Sequence, residues 1–334
     1  MITPNSTPWE PRLWRSELKV AFRTSHALLQ HLGLPADAAD DALPFATLVP
    51  RGYAARMETG NPHDPLLKQV LTTAQERLQV VGFESDPLLE TDEGLGFTLA
   101  PGLLQKYAGR ALLITTGACA IHCRYCFRRH FPYAEHRTDR LDAALRALAA
   151  DQSIEEIILS GGDPLMLDDE AFAGLIGQLA DIKHIQRIRI HTRMPIVLPE
   201  RVTENLLKTL ARARPPIVLV VHTNHANELD GATARALACL SSVCAQLLNQ
   251  AVALQSINDS APAQIELAKR LFDQGVLPYY LHLPDKVAGT AHFFLGVEQV
   301  QAIYTEMRAA LPGYLLPKLV REAPGETSKL IVSG

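Results

Sequence analysis

From residue 110 onward, short runs dense in Val, Ile and Leu alternate with longer stretches whose apolar residues recur every three or four positions. The runs cover 111–116, 156–160, 187–191, 217–222, 250–254 and 277–283. The periodic stretches cover 139–150, 169–180, 200–213, 231–248, 261–274 and 297–310. A short continuous apolar run predicts a strand covered on both faces, and a 3.6-residue period predicts a helix with one buried stripe. Strands separated by helices predict a parallel sheet, and regular repetition favours a barrel or an open part of one. Six units rather than eight predict an α/β fold with a partial (β/α)6 barrel. The first hundred residues read differently. A helical pattern at 10–32 ends at Gly33, a second occupies 66–80, and PRGY (50–53) and NPHDP (61–65) punctuate the stretch between them. The expected organisation is a helical N-terminal extension over 1–100, the barrel over 101–315 and a C-terminal segment over 316–334.

Composition narrows the partners. With 334 residues, of which 47% are hydrophobic, the chain can bury a sizeable core. A net charge of −4 gives no electrostatic reason to expect nucleic acid or an anionic membrane as the main partner. The N-terminus lacks the basic and apolar regions of a signal peptide, and no run is long enough to span a membrane. A cytoplasmic location is expected. Five cysteines, three of them in one short loop, argue against a disulfide framework and for a reducing compartment. Cys239 and Cys244 read as core thiols, because five positions apart on a helix does not bring side chains together.

The three remaining thiols carry the chemistry. They lie in CAIHCRYC (119–126), directly after the first predicted strand. Soft thiolates at this density suit a metal centre that keeps one coordination position open for chemistry. A structural zinc site closes four ligands and usually uses two paired knuckles. The alternatives are a Cys₃His zinc site completed by His122 or His130, and three unrelated thiols. In parallel sheets ligands bind at the carboxyl ends of the strands. SGGDPL (160–165) follows the second predicted strand, HTR (191–193) the third, HTNH (222–225) the fourth and LPDK (283–286) the sixth. The candidates therefore gather on one rim. Gly161 and Gly162 let backbone approach a ligand closely, or simply form a tight turn.

Cys-x3-Cys-x2-Cys with an aromatic residue before the last Cys resembles the hallmark of the radical S-adenosylmethionine enzymes. That resemblance implies that Cys119, Cys123 and Cys126 hold three irons of a [4Fe-4S] cluster whose fourth iron is chelated by S-adenosylmethionine. It also implies that the strand end Ser160, Gly161, Gly162 and Asp163 meets the methionyl amino group, and that the fold is a partial barrel. NPHDPL (61–66), SGGDPL (160–165), RMPIVLP (193–199), HTNHANE (222–228) and PYY (278–280) extend the likeness to the lysine 2,3-aminomutases. Those enzymes also use pyridoxal 5′-phosphate. The implied lysine for that cofactor is Lys329, in EAPGETSK (322–329), although a lysine so near a terminus ordinarily reads as a solvated tail residue.

The remaining carry-overs concern substrate. Arg128 matches the arginine that forks onto an amino acid carboxylate; contact with phosphate and charge balance for the cluster are the alternatives, and Arg129 is a weaker candidate. Asp285 and Glu322 match the acids that meet the distal ammonium of lysine. Glu322 stands where the better-known aminomutases have aspartate, which changes the reach. Arg110 matches an arginine near the cofactor phosphate. Paired acids speak against a glutamate 2,3-aminomutase, and a non-enzymatic metal module would need neither Gly161-Gly162 nor Lys329. The implied reaction takes an electron from a reductant such as flavodoxin or ferredoxin, forms a 5′-deoxyadenosyl radical, and moves the lysine nitrogen from C2 to C3. The chain stops at Gly334, where catabolic relatives continue into a zinc-binding tail. That short form resembles the subfamily making (R)-β-lysine for elongation factor P, to which a separate ligase attaches it.

Overall fold

The computed structural model describes residues 9, 10, 13–91, 94, 97–133 and 141–333. Its centre is one ten-stranded sheet whose strands lie side by side in chain order. They are β1 (Thr98–Ala100), β2 (Leu103–Tyr107), β3 (Arg110–Thr116), β4 (Glu156–Gly161), β5 (Arg187–Thr192), β6 (Ile217–His222), β7 (Gln246–Val252), β8 (Leu277–His282), β9 (Lys318–Arg321) and β10 (Leu330–Ile331). Strands β3 to β9 each run parallel to their neighbours. Antiparallel pairings add β2 and β1 beyond β3, and β10 beyond β9. The order is linear from β1 to β10, so the barrel is partial, as its sequence led one to expect.

Helices Leu141–Ala150, Asp169–Asp181, Glu204–Arg212, Gly231–Ser241, Ala261–Asp273 and Val297–Ala310 cover the outer face. Their starts are written locally. Asp168, Thr203, Asp230 and Ser260 each accept a backbone N–H of the first turn, which supplies a partner the helix itself cannot provide. The core lies between these helices and the outward face of the strands, where Ile188, Ile190 and Leu219 pack with Phe172, Leu175 and Leu206. The inward face mixes polar with apolar side chains. Along β5, for example, Arg187, Arg189 and His191 alternate with the buried Ile188, Ile190 and Thr192.

Several elements differ from expectation. Strand β7 begins at Gln246, four positions before the predicted 250, and the preceding helix ends at Ser241. Gln246 and Asn249 hide the strand from a reading of apolar runs. Asn249 is buried because its side chain bonds both the N–H and the C=O of Thr223, at 2.9 and 3.1 Å. Cys244 therefore lies beyond the helix, whereas Cys239 is a buried core thiol on it. Within the C-terminal segment 316–334, β9 and β10 extend the sheet, and β9 is a parallel strand beyond the six expected. The pattern at 10–32 is two helices, Leu13–Lys19 and Ser25–His31, split where Phe22 bridges Val49. That at 66–80 is a single turn, Pro65–Lys68, followed by a 3-10 turn, Ala74–Arg77. Residues 1–8, read for a leader, and residues 139 and 140, which begin one predicted helix, lie outside the described residues. No described helix is long and apolar enough to cross a membrane.

Candidate active site

Cys119, Cys123 and Cys126 sit on the loop after β3, at the carboxyl end of the parallel strands. The N–H of Gly162 donates to Thr116 O at 2.7 Å, and that of Asp163 to Ala118 O at 2.8 Å, so the end of β4 is laid against the start of this loop. Gly161 has φ +119, and a Cβ there would stand 2.6 Å from Thr116 O. A Cβ on Gly162 would stand 2.7 Å from the carbonyl carbon of Gly117. These two glycines are thus required by a close approach of the chain to itself. The N-terminal extension grips the loop from the other side. Arg124 N–H donates to Gln69 O at 2.9 Å, and the buried carboxylate of Glu76 takes Arg124 Nε at 2.9 Å and Arg129 Nη2 at 2.6 Å.

One cavity of about 480 Å³ runs from this loop down the inner face of the barrel, lined by Cys119, Cys123, Cys126, Ser160, Gly161, Gly162, Asp163, Arg110, Arg128, Asp285, Glu322 and Lys329, whereas the alternative candidates His122, Arg129 and His130 do not line it. Their side chains are not equally available. The carboxylate of Asp163 is taken up by the chain: it accepts from Leu165 N and Thr192 Oγ1 on one oxygen and from Arg193 N and Met194 N on the other, at 2.7–3.2 Å. Arg128 is held by Glu90 through two parallel bonds of 2.7 and 2.8 Å, and donates to Ser160 Oγ at 3.0 Å. Of the two histidines proposed for a zinc site, His122 bonds Ala46 O through Nδ1 at 2.8 Å and His130 bonds Ala288 O through Nε2 at 3.0 Å, which leaves each the other ring nitrogen. Among the described residues no three His, Cys, Asp or Glu side chains converge on a single ion. A cubane, by contrast, takes one thiolate per iron.

A chain of alternating charges crosses the cavity. Lys329 pairs with Glu322; Lys106 Nζ lies 3.3 Å from Glu322 and 3.0 Å from Glu90; Glu90 holds Arg128. Burial would raise Glu90, but Arg128 and Lys106 hold it down to about 2. Against burial, Lys329 and Lys106 likewise keep Glu322 well below the usual carboxylate range. Asp285 goes the other way. Burial, reinforced by the nearby charge of Glu322, pushes it up to about 7. Burial lowers His222 and His282 to about 3, so both are neutral, and it lowers His191 as well. Burial also raises Cys119, and raises Cys126 to about 11, with the neighbouring thiols adding to it. Three thiols crowded in this way become thiolates most readily around a cation.

Residues 113–232 match the family model of the radical SAM superfamily. The chain is 50% identical over 287 residues to an L-lysine 2,3-aminomutase of Escherichia coli (strain K12), covering 85% of this chain and 82% of the relative. It is 43% identical over 328 residues to the protein of that name from Haemophilus influenzae, covering 96% of each. This chain belongs to the lysine 2,3-aminomutase family. The Clostridium subterminale relative of the same name is more distant, at 33% identity over 83% of this chain and 66% of its own length.

Membership of a radical SAM aminomutase family implies an iron-sulfur cluster, S-adenosylmethionine and pyridoxal phosphate, and the cavity fits such groups. It offers three thiols and a lysine at its wall. His191 Nε2 and Arg193 Nε are buried beside it with no hydrogen-bond partner among the described residues, as atoms awaiting a ligand would be. Sequence reasoning passed over Glu76, Glu90 and Lys106, and treated Arg193 and Glu228 only as letters of a motif. Glu90 and Lys106 carry no local signal, since isolated charges in polar stretches look alike whether solvated or paired. Arg193 could have been found from its position at the carboxyl end of β5.

Proposed function

We propose that this chain is an isomerase, an L-lysine 2,3-aminomutase, converting L-lysine to β-lysine. The observation that carries this reading is one cavity walled by a three-cysteine loop, a lysine and two acids, Asp285 and Glu322, in a chain 50% identical to a relative of that name. In this reading Cys119, Cys123 and Cys126 would hold a [4Fe-4S] cluster, and the strand end from Ser160 to Gly162 would border S-adenosylmethionine. Asp163 shapes the rim from behind, because its carboxylate is already satisfied. Lys329 would carry pyridoxal phosphate, with Arg110 toward the phosphate. Bound there, the cluster and S-adenosylmethionine supply hydrogen-atom abstraction, and pyridoxal phosphate supplies the conjugated ring that carries the migrating nitrogen.

The chain's own groups do the rest. When Lys329 engages the cofactor, its pairing with Glu322 is given up, and Glu322 with Asp285 can face the distal ammonium of lysine. Arg128, oriented by Glu90, meets the lysine carboxylate. Neutral His191, His222 and His282 add no positive charge against that ammonium. We assign the product the (R) configuration, for modification of elongation factor P, in keeping with the higher identity to the Escherichia coli and Haemophilus influenzae relatives, 50% and 43%, than to the Clostridium subterminale one, 33%; a catabolic role is the alternative.

The test is anaerobic reconstitution with iron, sulfide and pyridoxal phosphate, followed by S-adenosylmethionine, a reductant and L-lysine. (R)-β-lysine by chiral chromatography is the expected product. The (S) product moves the assignment to lysine catabolism, and deoxyadenosine without β-lysine rules out lysine as substrate. Lys329→Ala should abolish turnover and the visible absorbance of bound pyridoxal phosphate while iron content stays unchanged; retained turnover rules out Lys329.

A further inference from the structure

Four guanidinium groups surround the cysteine loop, and the side chains of three bond groups other than cysteine. Arg124 and Arg129 donate to Glu76 and backbone carbonyls, and Arg128 donates to Glu90 and Ser160 with two N–H groups left over. Arg193 differs. Its Nη1 donates to Cys123 Sγ at 2.6 Å, across 70 positions of sequence. Its Nη2 is fixed by Gln69 Oε1 and Glu228 Oε2, both at 2.7 Å, and by Tyr53 OH at 3.3 Å. Its backbone N–H is held by Asp163 at 2.7 Å, and its guanidinium lies 5.7 Å from the ring centres of both Tyr53 and Tyr125. Glu228 is in turn held by the N–H groups of Asn224 and His225, at 2.8 and 3.1 Å. Arg193 is therefore a buried cation with no freedom to turn away, and its Nε remains a donor without an acceptor.

We infer that Arg193 is a positioning residue of the iron-sulfur centre, donating to the Cys123 thiolate and raising the potential at which the cluster accepts its electron. The inference rests on the reading that Cys119, Cys123 and Cys126 hold a cluster. One-electron reduction adds negative charge that spreads onto the ligating thiolates. A hydrogen bond to one of them, from a fixed cation in a buried site, favours the reduced form over the oxidised one. Among the described residues no other arginine side chain donates to a cysteine of the loop, so the side-chain effect falls on the iron that Cys123 would bind; Cys126 takes a backbone N–H from Arg128.

The experiment compares reconstituted wild type, Arg193→Gln and Arg193→Lys by potentiometric titration with EPR detection of the reduced cluster, iron and sulfide being measured on the same samples. Arg193→Gln with full iron should lose at least tenfold in the equilibrium constant for reduction, a shift of about 59 mV to more negative potential for a one-electron couple. Arg193→Lys, which keeps the charge but not the fork, should fall between the two. An unchanged potential in fully loaded Arg193→Gln overturns the inference. Because that variant can fail to fold, wild type labelled with ¹⁵N-arginine is also reduced and examined by pulsed EPR. Hyperfine coupling to an arginine nitrogen supports the contact, and its absence from a loaded wild type overturns it. A wild type that takes up no iron overturns the cluster reading and this inference with it.

Discussion

Asp285 is the residue whose charge state matters most to a pocket for an ammonium group. Its carboxyl is raised from 3.8 to about 7 by burial and by the charge of Glu322. The folded value exceeds the unfolded one, so the protein without substrate loses stability as pH rises from about 4 to about 7 and loses no more above that. At about 1.4 kcal/mol per unit, the loss reaches about 4 kcal/mol. Asp285→Asn removes it. Denaturant melts of the empty protein should show the variant more stable than wild type, by a margin that widens between pH 4 and 7 and is flat above 7. A margin independent of pH would show that Asp285 is not raised. The same substitution should cost lysine turnover if, as proposed, the acid that destabilises the empty site is one of the two that meet the ammonium.

At the scale of elements, the glycines at the end of β4 decide whether the cysteine loop can dock. Gly162→Ala puts a Cβ into backbone of Gly117 and Ala118, which no side-chain rotation relieves. A cost of about 1–3 kcal/mol or more is expected, with iron content after reconstitution falling by at least half. Gly174 is the control. It lies exposed on the helix Asp169–Asp181 with nothing within 4 Å of an added Cβ, so Gly174→Ala should stabilise by about 0.5–1 kcal/mol and leave iron content unchanged. Both glycines are plain in the sequence, yet their opposite consequences are not. One meets a loop after another strand; the other meets solvent.

For the whole molecule, the N-terminal extension is part of the site. Tyr53, Gln69, Glu76 and Glu90 come from it and hold Arg193, Arg124, Arg129 and Arg128 of the barrel. Glu76 is the most heavily committed, fully buried between two guanidinium groups. Glu76→Gln would leave two buried cations short of their counter-ion, a cost of about 3–5 kcal/mol. Urea melts should show that loss, and iron content should fall because Arg124 and Arg129 flank the cysteines proposed to ligate iron. A variant with wild-type stability and iron content would mean that the extension does not brace the loop.

Periodicity by itself determined the partial barrel, because a buried face leaves a local imprint at every second or every third to fourth residue. The cysteine spacing pointed to where the chemistry is proposed to lie, and the short polar side chains before Gly231 and Ala261 cap helices that begin where the periodicity placed them, whereas the helix predicted from 200 begins at Glu204. Only the tertiary structure decided that β7 begins at Gln246, that β9 joins the parallel sheet, that Glu90 holds Arg128 and that Arg193 reaches Cys123. The physical reason is common to all four. A buried amide, a strand pairing, an ion pair between residues 38 positions apart or a hydrogen bond spanning 70 draws its stability from partners brought close by the fold. In the chain alone, such a residue is indistinguishable from one that water would satisfy.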